Sequence, residues 1–385
     1  MASLTTLLFK TLLFFVYGLP LSWAQCHNST ALAIQLDALL AEYDREVPPP
    51  SHGLGVTVHV TLDIRHATID QEHSTMRLLT DLKMTWEDRR VSWNQTEWGC
   101  DYAITAAERL WLPDIVLLNT AATGGSNAPS DVGLRARLDF VGAVTWVMRL
   151  DLTTPVAMDL YNWPRDTQSC DFKFASRAYT FDEIELQITD LKRAVVFESG
   201  PWEINSMSGD TTVWQRGEER ISLATWTVEV TRRAPAHAVA ATTVLVATAL
   251  MLVAAVALPP DQRHALAACT SFTAALWLIT ALLRLPGASS CPRVMSVMCC
   301  VCVCGAACSA CAALVRRVAR CSAPPPRFLR TALSSLSNVC RLTPSPEECS
   351  TSESGAWAAA SVLADRVLCG ALLLTVAVLL AVQLF

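Results

Sequence analysis

Residues 236–258 read AHAVAATTVLVATALMLVAAVAL, with no formal charge and a single histidine, His237, near the start. At about 1.5 Å per residue, a helix of this length crosses a hydrocarbon core of about 30 Å. Lipid offers the backbone no hydrogen bonds, so the stretch must be helical. Three more stretches share its character: 265–283, 294–315 and 367–385, the last preceded by Asp365-Arg366. The chain therefore reads as carrying four spans.

Outward from these spans the composition divides the chain. Of its 385 residues 52% are hydrophobic and 17% charged, where a soluble chain carries about 25% charged. The apolar excess lies beyond residue 233, while residues 26–233 have an ordinary mixture. That asymmetry predicts an exported soluble domain followed by a membrane domain. The net charge of −5 comes with no basic patch, which argues against a nucleic-acid partner.

Residues 1–24 read as a secretory signal: Lys10, an apolar run over 11–17, then Ser22-Trp23-Ala24 as a small-x-small cleavage site. Domain limits follow: 25–233 extracellular, 234–315 three spans, 316–355 a short cytoplasmic loop, 356–385 the last span. The loop is placed inside because Arg316, Arg317, Arg320, Arg327, Arg330 and Arg341 outnumber Glu347, Glu348 and Glu353. Both termini then lie outside. Asn28 and Asn94 begin glycosylation sequons on that side. Of the cysteines, only Cys26, Cys100 and Cys170 belong to the exported domain. Cys299, Cys300, Cys302, Cys304, Cys308 and Cys311 sit in one span, where cysteine acts as a small apolar residue; no metal site is expected there. The second span carries Cys269, Thr270, Ser271, Thr273 and Thr280. Such a polar stripe faces either water or neighbouring helices.

In the exported part, Leu32, Leu36, Leu39, Leu40 and Tyr43 fall on one face of a helix over 30–43. Asn28 or Ser29 can cap it, and Pro48-Pro49-Pro50 ends it. From Val56 the period becomes two, with Val58, Val60, Leu62 and Ile64 alternating with polar residues. Further strands are predicted over 76–86, 142–150, 172–174, 184–188 and 222–230. The fold class is an all-β extracellular β-sandwich with an N-terminal cap helix, followed by a four-helix transmembrane bundle. There is no nucleophile elbow, metalloprotease helix or phosphate loop, so neither an enzyme nor a cofactor is expected.

Several motifs resemble those of Cys-loop pentameric ligand-gated channels, and within them nicotinic acetylcholine receptor subunits of the insect or other invertebrate kind. They are Trp86-Glu87-Asp88-Arg89-Arg90-Val91-Ser92-Trp93-Asn94, Trp111-Leu112-Pro113-Asp114-Ile115-Val116-Leu117-Leu118-Asn119, Gly142-x-Val144-x-Trp146 and Trp163-Pro164-Arg165-Asp166-Thr167-Gln168-Ser169-Cys170. Arg232-Arg233 before the first span and Asp365-Arg366 before the last complete the series. The resemblance implies a five-membered ring whose second spans line a pore, with Asp166 and Arg233 coupling the exported domain to it. A plain structural ion pair remains the alternative for those two residues.

The chain also departs from the family. The name-giving disulfide requires a cysteine where Val156 stands, so Cys170 lacks that partner; the resemblance then points to a Cys26–Cys100 bridge with Cys170 unpaired. An aromatic box is expected around a quaternary ammonium, yet Leu118 and Arg177 replace two of its aromatics, Asp81 replaces the complementary tryptophan, and Tyr179 remains. No vicinal cysteine pair occurs between Glu198 and Trp226. The implied pore line is Gln262, Ala265, Cys269, Phe272, Leu276, Thr280 and Leu283, to within a one-residue slip. Gln262 stands for the selectivity glutamate and Phe272 for the gating leucine. The implied function is a non-alpha, auxiliary subunit of an acetylcholine-gated cation channel with a degenerate agonist site. It would sit in a heteropentamer at the plasma membrane, at a synapse, whose other nicotinic subunits bind acetylcholine. The alternative is a non-conducting regulatory or assembly partner in the same ring.

Overall fold

The computed structural model describes residues 29–50, 55–121, 135–190, 200–320 and 353–384. The segment read as a signal, Cys26, Asn28 and most of the loop read as cytoplasmic lie outside these residues.

The first described element is α1 (Ser29–Leu39), which ends before the expected residue 43. Leu36 is buried, and Leu32, Leu39, Leu40 and Tyr43 pack against the sandwich. Ten strands follow: β1 (Val56–Asp70), β2 (Thr75–Glu87), β3 (Tyr102–Ala106), β4 (Ile115–Leu117), β5 (Arg135–Asp139), β6 (Ala143–Pro155), β7 (Thr167–Ser176), β8 (Ile184–Asp190), β9 (Trp202–Arg216) and β10 (Glu219–Arg232). They form a six-stranded sheet, β3-β5-β6-β2-β1-β8, and a four-stranded sheet, β4-β7-β10-β9. The even-numbered side chains of β2, β6 and β10 turn inward, and Trp86, Trp226, Phe172 and Phe174 fill the space between the sheets. The alternation of β1 persists to Ile64, where a bulge at Arg65 shifts the register so that Ala67 and Ile69 become the inward residues. Strands β3, β4, β5 and β9 were not legible in the sequence. Three are short, and most of β9 is exposed on both faces, so no alternation marks it.

Among the described residues four helices are long and apolar enough to cross a membrane: α3 (Pro235–Ala257), α4 (Arg263–Arg284), α5 (Arg293–Ala319) and α6 (Glu353–Leu384), the last through residues 360–378. A short α2 (Gln95–Trp98) lies in the sandwich. Helices α5 and α6 extend past their apolar runs, because a helix need not stop where charge begins at the headgroups. Small residues and aliphatics share the contacts between helices. Ala255, Ala267, Cys304, Cys308 and Val376 form one buried cluster, and Leu245, Ala274, Met298 and Val301 another. Without a hydrophobic drive in lipid, close packing and hydrogen bonds hold such helices together. The Ser271 hydroxyl donates to the Cys302 carbonyl at 3.0 Å, beside Gly305. The ten described cysteines other than Cys100 are free thiols.

Candidate functional site

The junction between sandwich and bundle is built from three loops. The β6–β7 loop meets the α4–α5 loop through hydrogen bonds that alternate along both chains. The Ser289 amide and hydroxyl donate to the Met158 carbonyl, each at 3.0 Å, and the Leu160 amide donates to the Ser290 hydroxyl at 3.1 Å. The Ser290 hydroxyl donates to the Asp159 carboxylate. That bond, and then the Tyr161 amide, hold Asp159 below the usual carboxylate range. The Arg293 amide donates to the Tyr161 carbonyl at 3.0 Å, and its Nη2 reaches Asn162 Oδ1 at 3.0 Å. The β1–β2 turn joins from the side, since the Val156 amide donates to the Ser74 carbonyl at 2.9 Å. In that turn His73 Nδ1 faces Asp70 Oδ2 at 2.9 Å, which raises the imidazole and lowers the carboxyl.

Beneath these loops lies a buried ion pair. Asp166 is 1% exposed at its side chain, and it is Arg232 that meets it, through Nε at 2.6 Å and Nη2 at 2.9 Å. Gln168 Nε2 donates to the same carboxylate at 2.7 Å, and the Arg232 guanidinium lies 4.4 Å from the Trp202 ring centroid. The expected partner, Arg233, instead donates to Glu203 Oε2 at 3.1 Å near the surface. Strand parity is the reason for this correction. Ala224, Trp226, Val228 and Val230 of β10 point inward, and Arg232 continues their side of the strand. The same parity was available in the sequence.

The residues that the resemblance assigns to an agonist region sit on β4 and the segment after β7. Two side chains of the Trp111–Asn119 motif pin it. Asp114 accepts from Ser176 Oγ at 2.5 Å and from the amides of Arg177 and Ala178 at 3.1 and 2.7 Å. Asn119 accepts from the Lys173 amide at 3.0 Å and donates to the Asp171 carbonyl at 2.7 Å. Leu118 is partly exposed, Arg177 points to solvent, and the Tyr179 hydroxyl accepts from Trp111 Nε1 at 3.3 Å. Asp81 lies on the other sheet, where Arg65 and Arg149 flank it. Burial works against its charge, but the hydrogen bonds from Arg65 and then Arg149 win and hold its carboxyl low. One chain alone does not bring Asp81 against Arg177 among the described contacts.

Cys170 is buried and free, its thiol 2.8 Å from Thr154 Oγ, and burial pushes it up to about 11. Cys100 is disulfide-bonded to a partner outside the described residues, where Cys26 also lies. Asn94 is exposed and caps α2, accepting from the Thr96 amide and hydroxyl at 3.1 and 2.8 Å. Among the described residues no cluster of His, Cys, Asp and Glu could hold a metal ion.

In α4, Gln262, Ala265, Cys269, Phe272, Leu276, Thr280 and Leu283 all lie on a side that the chain's own helices leave uncovered. Arg263, Ala267, Thr270 and Ala274 form the buried side. The buried arginine meets Asp365 of α6, a contact the sequence did not disclose.

A capped sandwich joined to four membrane-length helices through the β6–β7 and α4–α5 loops is the architecture of the Cys-loop ligand-gated channel class. Residues 34–234 match the neurotransmitter-gated ion-channel ligand binding domain, and the chain belongs to that family. It is 32% identical over 176 residues to neuronal acetylcholine receptor subunit alpha-6 of Rattus norvegicus, covering 44% of this chain and 35% of the relative. It is 29% identical over 203 residues to subunit alpha-5 of the same organism, covering 50% and 42%. With subunit non-alpha-2 of Carassius auratus it shares 30% over 188 residues, covering 46% and 40%. The matched part thus spans well under half the length of these relatives.

Proposed function

We propose that this chain is an auxiliary, non-alpha member of a nicotinic-type heteropentameric cation channel at the plasma membrane, with acetylcholine bound by other subunits. The observation that carries this reading is a contrast within one molecule. The junction residues are bonded, from Asp166–Arg232 to Ser290–Asp159, while the agonist region presents an exposed Arg177 where a ligand cation would sit. A cation against a guanidinium is repelled, so the junction serves ligand binding elsewhere in the ring.

In this reading the uncovered stripe of α4 lines the pore. Phe272, 69% exposed in the single chain, forms its hydrophobic constriction, and Gln262 lowers the charge at the inner mouth. The termini lie outside, Asn94 carries a glycan, and Cys26 is the partner of Cys100. Neutral Gln262 equally supports the second reading, a ring member that suppresses current.

Recording after co-expression with an alpha-type subunit separates the two. Altered unitary conductance, with block by a charged thiol reagent at Cys269, supports the first. Reduced surface current with unchanged unitary properties supports the second. No association with any nicotinic subunit would remove both.

A further inference from the structure

The open face of the six-stranded sheet carries more cationic donors than the chain itself satisfies. The β1 bulge turns Arg65 outward, where its Nε donates to Asp81 Oδ2 at 2.7 Å. Arg149, directly across the ladder from Asp81, donates only its Nε, to Oδ1 at 3.1 Å. Asp81 is 9% exposed and both its oxygens are taken. It therefore works as an anchor that fixes two guanidinium groups. The Arg149 side chain stays 41% exposed, and among the described residues its only bond is through Nε. Lys83, two residues along β2 on the same face, is exposed, with no hydrogen bond or ion pair among the described residues. Asp63, the cross-strand neighbour of Asp81, offsets only part of this charge.

We propose that this face receives a carboxylate side chain from an adjoining subunit, and that a second copy of this chain is excluded from that place. The inference rests on the ring reading above and on the resemblance, which sets Asp81 at the complementary tryptophan's position and so turns this face toward a neighbour's agonist region. Three strands lying side by side make a flat surface, on which a small free carboxylate stays hydrated. An acidic side chain delivered by a protein surface is desolvated together with Arg149, which strengthens the pair. A second copy would deliver Arg177, whose backbone Asp114 pins and whose guanidinium is exposed with no bond among the described residues. Like charges then oppose self-assembly and select a partner of the other sign.

The test uses the full-length chain expressed alone, extracted in mild detergent and sized by native mass. The wild type is expected to remain unassembled. R177E supplies the missing carboxylate, and R149E supplies it from the other side; each is expected to raise the oligomeric fraction about tenfold. The double variant R177E/R149E sets acid against acid and returns to the wild-type level. Arg177 is exposed, so R177E carries the test; Arg149 also donates to Asp81, so the R149E and double-variant arms are read only alongside a thermal unfolding midpoint matching wild type. A wild type that already forms rings, an R177E chain no more oligomeric than wild type, or a double variant that still assembles overturns the proposal. Co-expression of the wild type with an alpha-type nicotinic subunit isolates the cause. If the two copurify while R177E fails to self-associate, the ring reading stands and the carboxylate site falls. If they do not copurify, both fall.

Discussion

Arg263 at the start of α4 donates through Nη1 and Nη2 to the Asp365 carboxylate of α6, at 2.6 and 3.1 Å. The guanidinium is 3% exposed and also donates to the carbonyls of Leu258 and Val256, at 2.8 and 3.3 Å. The helix with the uncovered stripe is thereby tied to the last helix in the chain. Removing one partner of a buried pair leaves the other charge uncompensated, which costs about 3–5 kcal/mol. Asp365→Ala is therefore expected to lower the thermal midpoint of the detergent-solubilised chain and its surface yield. A midpoint indistinguishable from wild type would show that the pair holds nothing together.

The two adjacent arginines before α3 are expected to differ sharply. Arg232→Ala strands Asp166, which is 1% exposed, with Gln168 as its remaining side-chain donor, and should cost about 3–5 kcal/mol. Arg233→Ala removes an exposed pair with Glu203 and should stay within about 1 kcal/mol. Thermal unfolding of the two variants side by side decides the matter, and equal losses would contradict the assignment.

Gly305 sets how closely α4 and α5 approach. A Cβ there would stand 3.1 Å from the Ala267 carbonyl oxygen and 3.2 Å from the Ser271 amide nitrogen, both backbone atoms. Gly305→Val is expected to cost about 1–3 kcal/mol by overpacking, and Gly305→Ala less. The expected order of thermal midpoints is Gly, then Ala, then Val. A Val variant as stable as wild type would mean that the helices separate freely.

Cys170 should resist alkylation in the folded chain. Burial pushes its thiol up to about 11, against an ordinary value of 9.0. A thiol raised on folding contributes stability in full below its unfolded value and loses it as pH rises through the folded value. Intact-mass analysis after maleimide treatment near about pH 8 should leave Cys170 unmodified until denaturant is added. Rapid labelling of Cys170 in the native chain would refute its burial.

Much of the architecture was legible from local pattern. Long uncharged runs identify spans because lipid forbids an unsatisfied backbone. Period-two alternation located six of the ten strands. Strands such as β9 escaped because a strand exposed on both faces has no alternation to read. Of the junction, Asp166 was legible from its motif. The serines and Arg293 that meet the β6–β7 loop were not, because they lie about 130 residues from their partners, and no local pattern encodes so distant a pairing.

The sequence by itself determined the capped sandwich, the four membrane-length helices and which residue types stand at 118, 156 and 177. Those properties depend on residue type and short-range period. Only the tertiary structure decided which arginine meets Asp166, that a bulge aims Arg65 at Asp81, and that Arg263 faces Asp365 inside the bundle. Each depends on register between segments far apart in the chain. Packing and hydrogen bonding across the whole fold set that register, and a one-residue shift sends a side chain to the other face.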